Sequence, residues 1–178
     1  MLRKILSYGG VAGLIVGLPL FGMTMAMKGH PPLAWGMVIG YLTMLIALST
    51  VFVAVKRQRD ADGGGVIRFW PAFGLGLGIS LVASVMYVLT WELALAVTGM
   101  DFAGSYAKTL IEEQRAKGAS AEALARLGAE MEVFKAQYAR LAYRLPMTFA
   151  EIFPVGVLVS LVSAGLLRNP RFLPARRG

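Results

Sequence analysis

Four stretches of this chain stay apolar for longer than the core element of a soluble domain requires. They run from about Ile5 to Met27, Leu33 to Val55, Phe69 to Val97 and Leu145 to Leu167. A helix needs about 20 apolar residues to cross the hydrocarbon of a bilayer, where each backbone N–H and C=O must find its partner inside the segment. The charges lie between these runs and make up only 16% of the residues, against 57% hydrophobic; roughly a quarter is charged in a soluble domain. The pattern predicts an all-α membrane protein, one four-span domain over residues 1–178, in contact with a lipid bilayer. The first run follows Arg3 and Lys4, as a signal peptide would, but it exceeds the roughly 7–15 residues of a signal core and lacks a good small-residue cleavage site.

Basic residues set the expected orientation. The N-terminus, the loop after span two and the C-terminal tail carry 2, 4 and 4 of them, while the first outer turn has only Lys28. The long segment between spans three and four has seven, but long loops weigh little in the positive-inside rule. Both termini are therefore expected in the cytoplasm, with Lys56 to Gly65 as a polar, glycine-broken inner loop. Asp60-x-Asp62-Gly63 resembles the opening of a calcium loop, but the remaining ligands are missing, which favours a solvated turn.

Residues 101–144 carry helix signals of their own. Asp101 and Ser120 are suited to cap helices, and Lys117-Gly118 breaks the segment between them. Leu124, Leu127, Met131, Phe134, Tyr138, Leu141 and Leu145 alternate by three and four, a stripe that must bury itself. Phe102, Tyr106, Leu110 and Ile111 offer the opposing face. The expectation is an extramembrane helical hairpin between spans three and four, whose second arm continues as a rigid extension into span four. Its arms either pack on each other or offer a docking surface to another subunit.

In lipid the hydrophobic effect does little to join helices, and small residues that admit close backbone approach do more. Gly9, Gly13 and Gly17 in span one, Gly36 and Gly40 in span two, and Gly74 and Gly78 in span three are each four apart and are expected at helix contacts. Gly76, Ser80 and Ser84 form a second small stripe. This repetition predicts a tight bundle, a homo-oligomer or a complex with a membrane-protein partner.

Two carboxylates lie inside spans. Glu92 is expected on the face of Gly74 and Gly78, and both it and Glu151 lie roughly 8–9 Å below the outer boundary at about 1.5 Å per residue. Carboxylates that meet there can share a proton. Tyr87, Thr90 and Thr148 are candidate hydrogen-bond partners, and Pro154 frees the carbonyl of Ala150. One reading is a proton or cation site; the plainer one is a structural polar pair, with Arg144 reaching Glu151.

Gly63-Gly64-Gly65-Val66-Ile67-Arg68-Phe69, Tyr87-Val88-Leu89-Thr90-Trp91-Glu92 and Met147-Thr148-Phe149-Ala150-Glu151-Ile152-Phe153-Pro154-Val155-Gly156 resemble signature segments of domain-of-unknown-function family 4199. The resemblance covers nearly the whole chain and is most specific in the third segment. It implies a four-span protein of the bacterial inner membrane without established activity, and supplies no catalytic residue. Where that family has an Arg-Tyr-Arg-Asp-like stretch, this chain has Arg57-Gln58-Arg59-Asp60, without the aromatic.

No catalytic, cofactor-binding or metal motif emerges, and an enzyme is not expected. There is no cysteine, and His30 is the only histidine, which rules out paired-histidine metal sites. The net charge of +8 sits mostly beside spans and is not interleaved with aromatics, which argues against nucleic acid. A scaffold or accessory subunit is the first expectation; a small oligomeric proton- or cation-coupled transporter or channel using Glu92 and Glu151 is the alternative.

Overall fold

A computed structural model describes residues 1–26 and 36–174. The turn with Lys28, His30 and Trp35, the surroundings of Gly36, and Arg176 and Arg177 lie outside the described residues. Six helices follow in order: α1 Leu2–Ala26, α2 Gly36–Asp62, α3 Phe69–Thr98, α4 Phe102–Ala116, α5 Ala121–Tyr138 and α6 Leu141–Leu167. Four of them, α1, α2, α3 and α6, are long and apolar enough to cross a membrane, so the chain is a multi-pass membrane protein. Leucines such as Leu18, Leu89 and Leu158 are more exposed than buried. That outward belt suits acyl chains and would be an aggregation liability in water.

The bundle has two different ends. The start of α1, the end of α2, the start of α3 and the end of α6 share one, the termini end; α4 and α5 stand at the other. Val16, Leu48, Val51, Leu75, Ile79 and Ile152 are the heart of the core, with α3 packed against α1, α2 and α6.

Small residues set the spacing. Gly78 lies against Ile5, and Gly9, Gly13 and Gly17 lie against Val82, Met86 and Thr90, so α1 and α3 run parallel with a contact every four residues on both. A side-chain carbon on Gly9 or Gly13 would sit 2.6 Å from Val82 Cβ or 2.5 Å from Met86 Sδ. Each four-residue step overshoots the helical turn by about 40°, which makes the pair cross in the right-handed sense of close glycine-mediated packing. On its opposite flank α3 meets α6 antiparallel. Gly76 faces Ser160 and Gly156 faces Ser80, and the two hydroxyls lie 3.3 Å apart.

Several expectations require correction. Gly40 and Gly74 have no atom of the described residues within 4 Å of where a side-chain carbon would stand, so they make no helix contact among those residues; Gly76 is the glycine of its pair of stripes that meets α6. Lys56 to Asp62 is not a loop but the last turns of α2. The Lys56–Asp60 pair bridges one turn, and the carbonyl of Arg59 accepts the N–H groups of Gly63 and Gly65. Asp62 pairs with Lys4 at 2.5 Å.

The caps of α4 and α5 form where the residue types suggest. Asp101 accepts from the Gly104 N–H at 2.9 Å and Ser120 from that of Ala123 at 3.2 Å. Gly118, at φ 81°, takes the left-handed conformation that turns the chain between the two helices. The heptad stripe does not run on into α6. Arg140 is extended, at φ −89° and ψ 123°, and breaks the helix after Tyr138; Leu141 is exposed beyond it. The arm is therefore jointed to α6, not a rigid extension of it.

Candidate functional site

Glu92 and Arg144 are the last rung of the α3–α6 contact. Counting in fours up α3 from Gly76 and down α6 from Ser160 passes through Ser80 and Gly156, then Ser84 and Ile152, then Val88 and Thr148, all buried. The next step is Glu92 and Arg144. The Arg144 Nε donates to Glu92 Oε1 at 2.7 Å and Nη2 donates to Oε2 at 2.6 Å. The side chains are only 17% and 20% exposed, so the fork is short, two-pronged and largely shielded from solvent.

Arg144 also holds the neighbouring arm. Its Nη1 donates to the carbonyl of Tyr138, the last residue of α5, at 3.2 Å, and its guanidinium lies 5.6 Å from the centre of the Tyr138 ring. A cation at a helix C-terminus satisfies an orphan carbonyl and opposes the negative end of the helix dipole. From α3, Trp91 Nε1 donates to the Tyr138 hydroxyl at 2.8 Å. Ring contacts continue from Trp91 to Phe102, from Phe102 to Tyr138, and from Tyr138 through Phe134 to Tyr106. Burial pushes the Tyr138 phenol above its ordinary value, outweighing the stabilisation of the phenolate by Trp91 and Arg144.

The second carboxylate takes a different partner. Tyr87, buried on α3, donates to Glu151 Oε2 at 3.3 Å, a long bond to a side chain on the exposed part of α6. The two acids thus sit in separate polar contacts, and Arg144 reaches Glu92 instead of Glu151. A wheel drawn on a straight helix puts Glu92 with Gly78, yet Gly78 faces α1 and Glu92 faces α6. Because α3 is contacted from both flanks, the helical period alone does not assign a residue to one of them. Thr90 and Thr148 serve neither carboxylate: Thr90 donates to the carbonyl of Met86 at 2.8 Å and Thr148 to that of Arg144 at 3.0 Å.

For one polar residue the sequence reading placed a loop cation where the structure buries it. Arg59 has no exposed surface. Its Nε donates to Asp60 at 2.7 Å, Nη1 to the Phe172 carbonyl at 2.8 Å and Nη2 to the Leu173 carbonyl at 2.5 Å. The guanidinium thus ties the chain after α6 to the end of α2, where Phe172 also meets Phe52 edge-on. The signal was present: Ala47, Val51, Val55 and Arg59 are four apart, and all four are fully buried.

Among the described residues no group of three or more His, Asp or Glu side chains converges to hold a metal ion. A family model, described as Protein of unknown function (DUF4199), matches residues 7–169. No curated protein and no solved structure matches the chain.

Proposed function

We propose that this chain, which belongs to the DUF4199 family of proteins of unknown function, is a non-enzymatic scaffold or accessory subunit of the bacterial inner membrane, with both termini in the cytoplasm. The observation that carries this reading is the occupied state of Glu92. Both its oxygens accept charge-assisted bonds from one guanidinium, an arrangement that braces α3, α6 and the end of α5 against each other. A permanent counter-charge offsets the cost of a carboxylate in a span and ties it to a structural partner. What this bracing presents is the α4–α5 pair, held at a set angle to the bundle as a platform for another membrane protein. Val133 on α5 and Leu141 at the joint are exposed apolar residues on that platform.

Affinity purification in mild detergent tests the proposal; a stoichiometric membrane-protein partner is the expected result. The transport reading has one observation in its favour, the single long bond to Glu151. A pH-dependent flux in proteoliposomes that Glu151→Gln abolishes overturns the scaffold reading.

A further inference from the structure

The termini end carries a charge excess that its own acids do not account for. Among the described residues it holds eight cationic side chains and two carboxylates. Both carboxylates are already engaged, Asp62 by Lys4 and Asp60 by Lys56 and Arg59. Arg3, Arg57, Arg68, Arg168 and Arg171 are exposed and have no acidic partner among the described residues. Arg57 has one neutral contact, donating to the Tyr8 hydroxyl at 3.2 Å.

Helix stability does not explain Arg3 and Arg68, whereas Arg168, the C-cap of α6, stands where a cation suits the helix dipole. Arg3 stands in the first turn of α1, and Arg68 immediately precedes α3, with no acid in the first turn of either helix. Cations there oppose the helix dipole. Surface geometry supplies the second element. Phe52, Val53, Lys56, Arg57, Asp60 and Ala61 line one shallow groove along α2, and there Lys56 is already paired with Asp60, which leaves Arg57 as the cation without an acidic partner among the described residues. Lys56 and Arg57 follow the apolar pair by one turn, so the cations stand about 6 Å nearer the end of the bundle. An apolar floor beneath a rim whose unpaired cation is Arg57 matches an acyl chain beneath a phosphate.

We infer that the termini end is a binding surface for acidic phospholipid headgroups, with the α2 groove seating one lipid through its phosphate at Arg57 and the remaining arginines adding a general attraction. The lipid phosphodiester is the ligand; a zwitterionic headgroup carries its own ammonium and gains little from this surface. Each Lys or Arg near an anionic membrane surface contributes about 1 kcal/mol, and that attraction is screened by salt.

The test is lipid titration of the delipidated full-length protein, read by native mass spectrometry. Short-chain phosphatidylglycerol is expected to bind at least tenfold more tightly than short-chain phosphatidylcholine. The triple variant Arg3→Gln/Arg57→Gln/Arg68→Gln should weaken phosphatidylglycerol about a hundredfold, from three such contributions at 1.4 kcal/mol per tenfold. Arg115→Gln/Arg126→Gln/Arg140→Gln removes equal charge at the other end and should change it less than threefold. If the triple variant loses helicity, Arg57→Gln alone, a change at an exposed side chain, should still cost several-fold. Equal binding of the two lipids, displacement of lipid by millimolar inorganic phosphate, or loss of binding from the α4–α5 substitutions alone overturns the inference.

Discussion

Replacing Gly13 by Ala should loosen the whole α1–α3 contact, and replacing its neighbour Gly10 should not. At Gly13 the added carbon meets Met86 Sδ at 2.5 Å and Met86 Cβ at 2.7 Å, while at Gly10 no atom lies within 4 Å. Met86 can swing its sulfur away, but its Cβ is fixed to the backbone, so relief requires α1 to withdraw by about 1 Å. A gap of 0.5–1 Å forfeits roughly a quarter to a half of each affected dispersion contact, and overpacking of this kind costs about 1–3 kcal/mol. Both substitutions gain about 0.5–1 kcal/mol from replacing a helical glycine. Gly10→Ala should therefore stabilise slightly, and Gly13→Ala should destabilise by about 1–2 kcal/mol, in unfolding by sodium dodecyl sulfate from mixed micelles followed by circular dichroism. Gly9→Ala should behave like Gly13→Ala, because its carbon would meet Val82 Cβ at 2.6 Å. The double variant should cost less than the sum by about 1 kcal/mol, since one withdrawal of α1 relieves both rungs. Equal effects at Gly10 and Gly13, or strict additivity of Gly9 and Gly13, would show that the glycine row does not set the helix separation.

Glu92→Leu and Arg144→Met should each destabilise by about 3 kcal/mol in the same assay, because each strands a shielded charge or its donors; Glu92→Leu/Arg144→Met should recover most of the loss. Additive losses in this cycle would deny the fork its coupling. Arg59→Gln should free the chain after α6, seen as faster tryptic release of the peptide following Arg171, with no such change for Arg57→Gln. For Tyr138, the raised phenol pKa makes the folded state favour the protonated form. Its stabilising effect is complete below the ordinary tyrosine pKa near 10 and is lost as pH rises through the higher folded value. Absorbance titration of the protein against Tyr138→Phe should show the missing tyrosine as one ionising above pH 10; ionisation at or below 10 refutes the burial argument.

Local chemistry was legible wherever one residue decides one feature. Four apolar runs of spanning length, the Asp101 and Ser120 caps and the turn at Gly118 depend on hydropathy or on side chains acting within a few residues of themselves. Helix ends were less so. The Lys56–Asp60 bridge and the paired Asp62 carry α2 past the point where apolarity stops, and the extended Arg140 ends a stripe whose periodicity continued on paper. Tyr138 was legible as a core position of α5, though not as the residue that receives both Trp91 and Arg144.

The sequence by itself determined how many helices there are and that Glu92 and Glu151 must find polar company, because the energetic cost of a carboxylate in hydrocarbon needs no knowledge of neighbours. Only the tertiary structure decided which company. The choice between Arg144 and Tyr87, and the burial of Arg59 beneath the chain after α6, depend on the register in which helices meet. That register is set jointly by small residues on two helices far apart in the chain, through close contacts that no single helix contains.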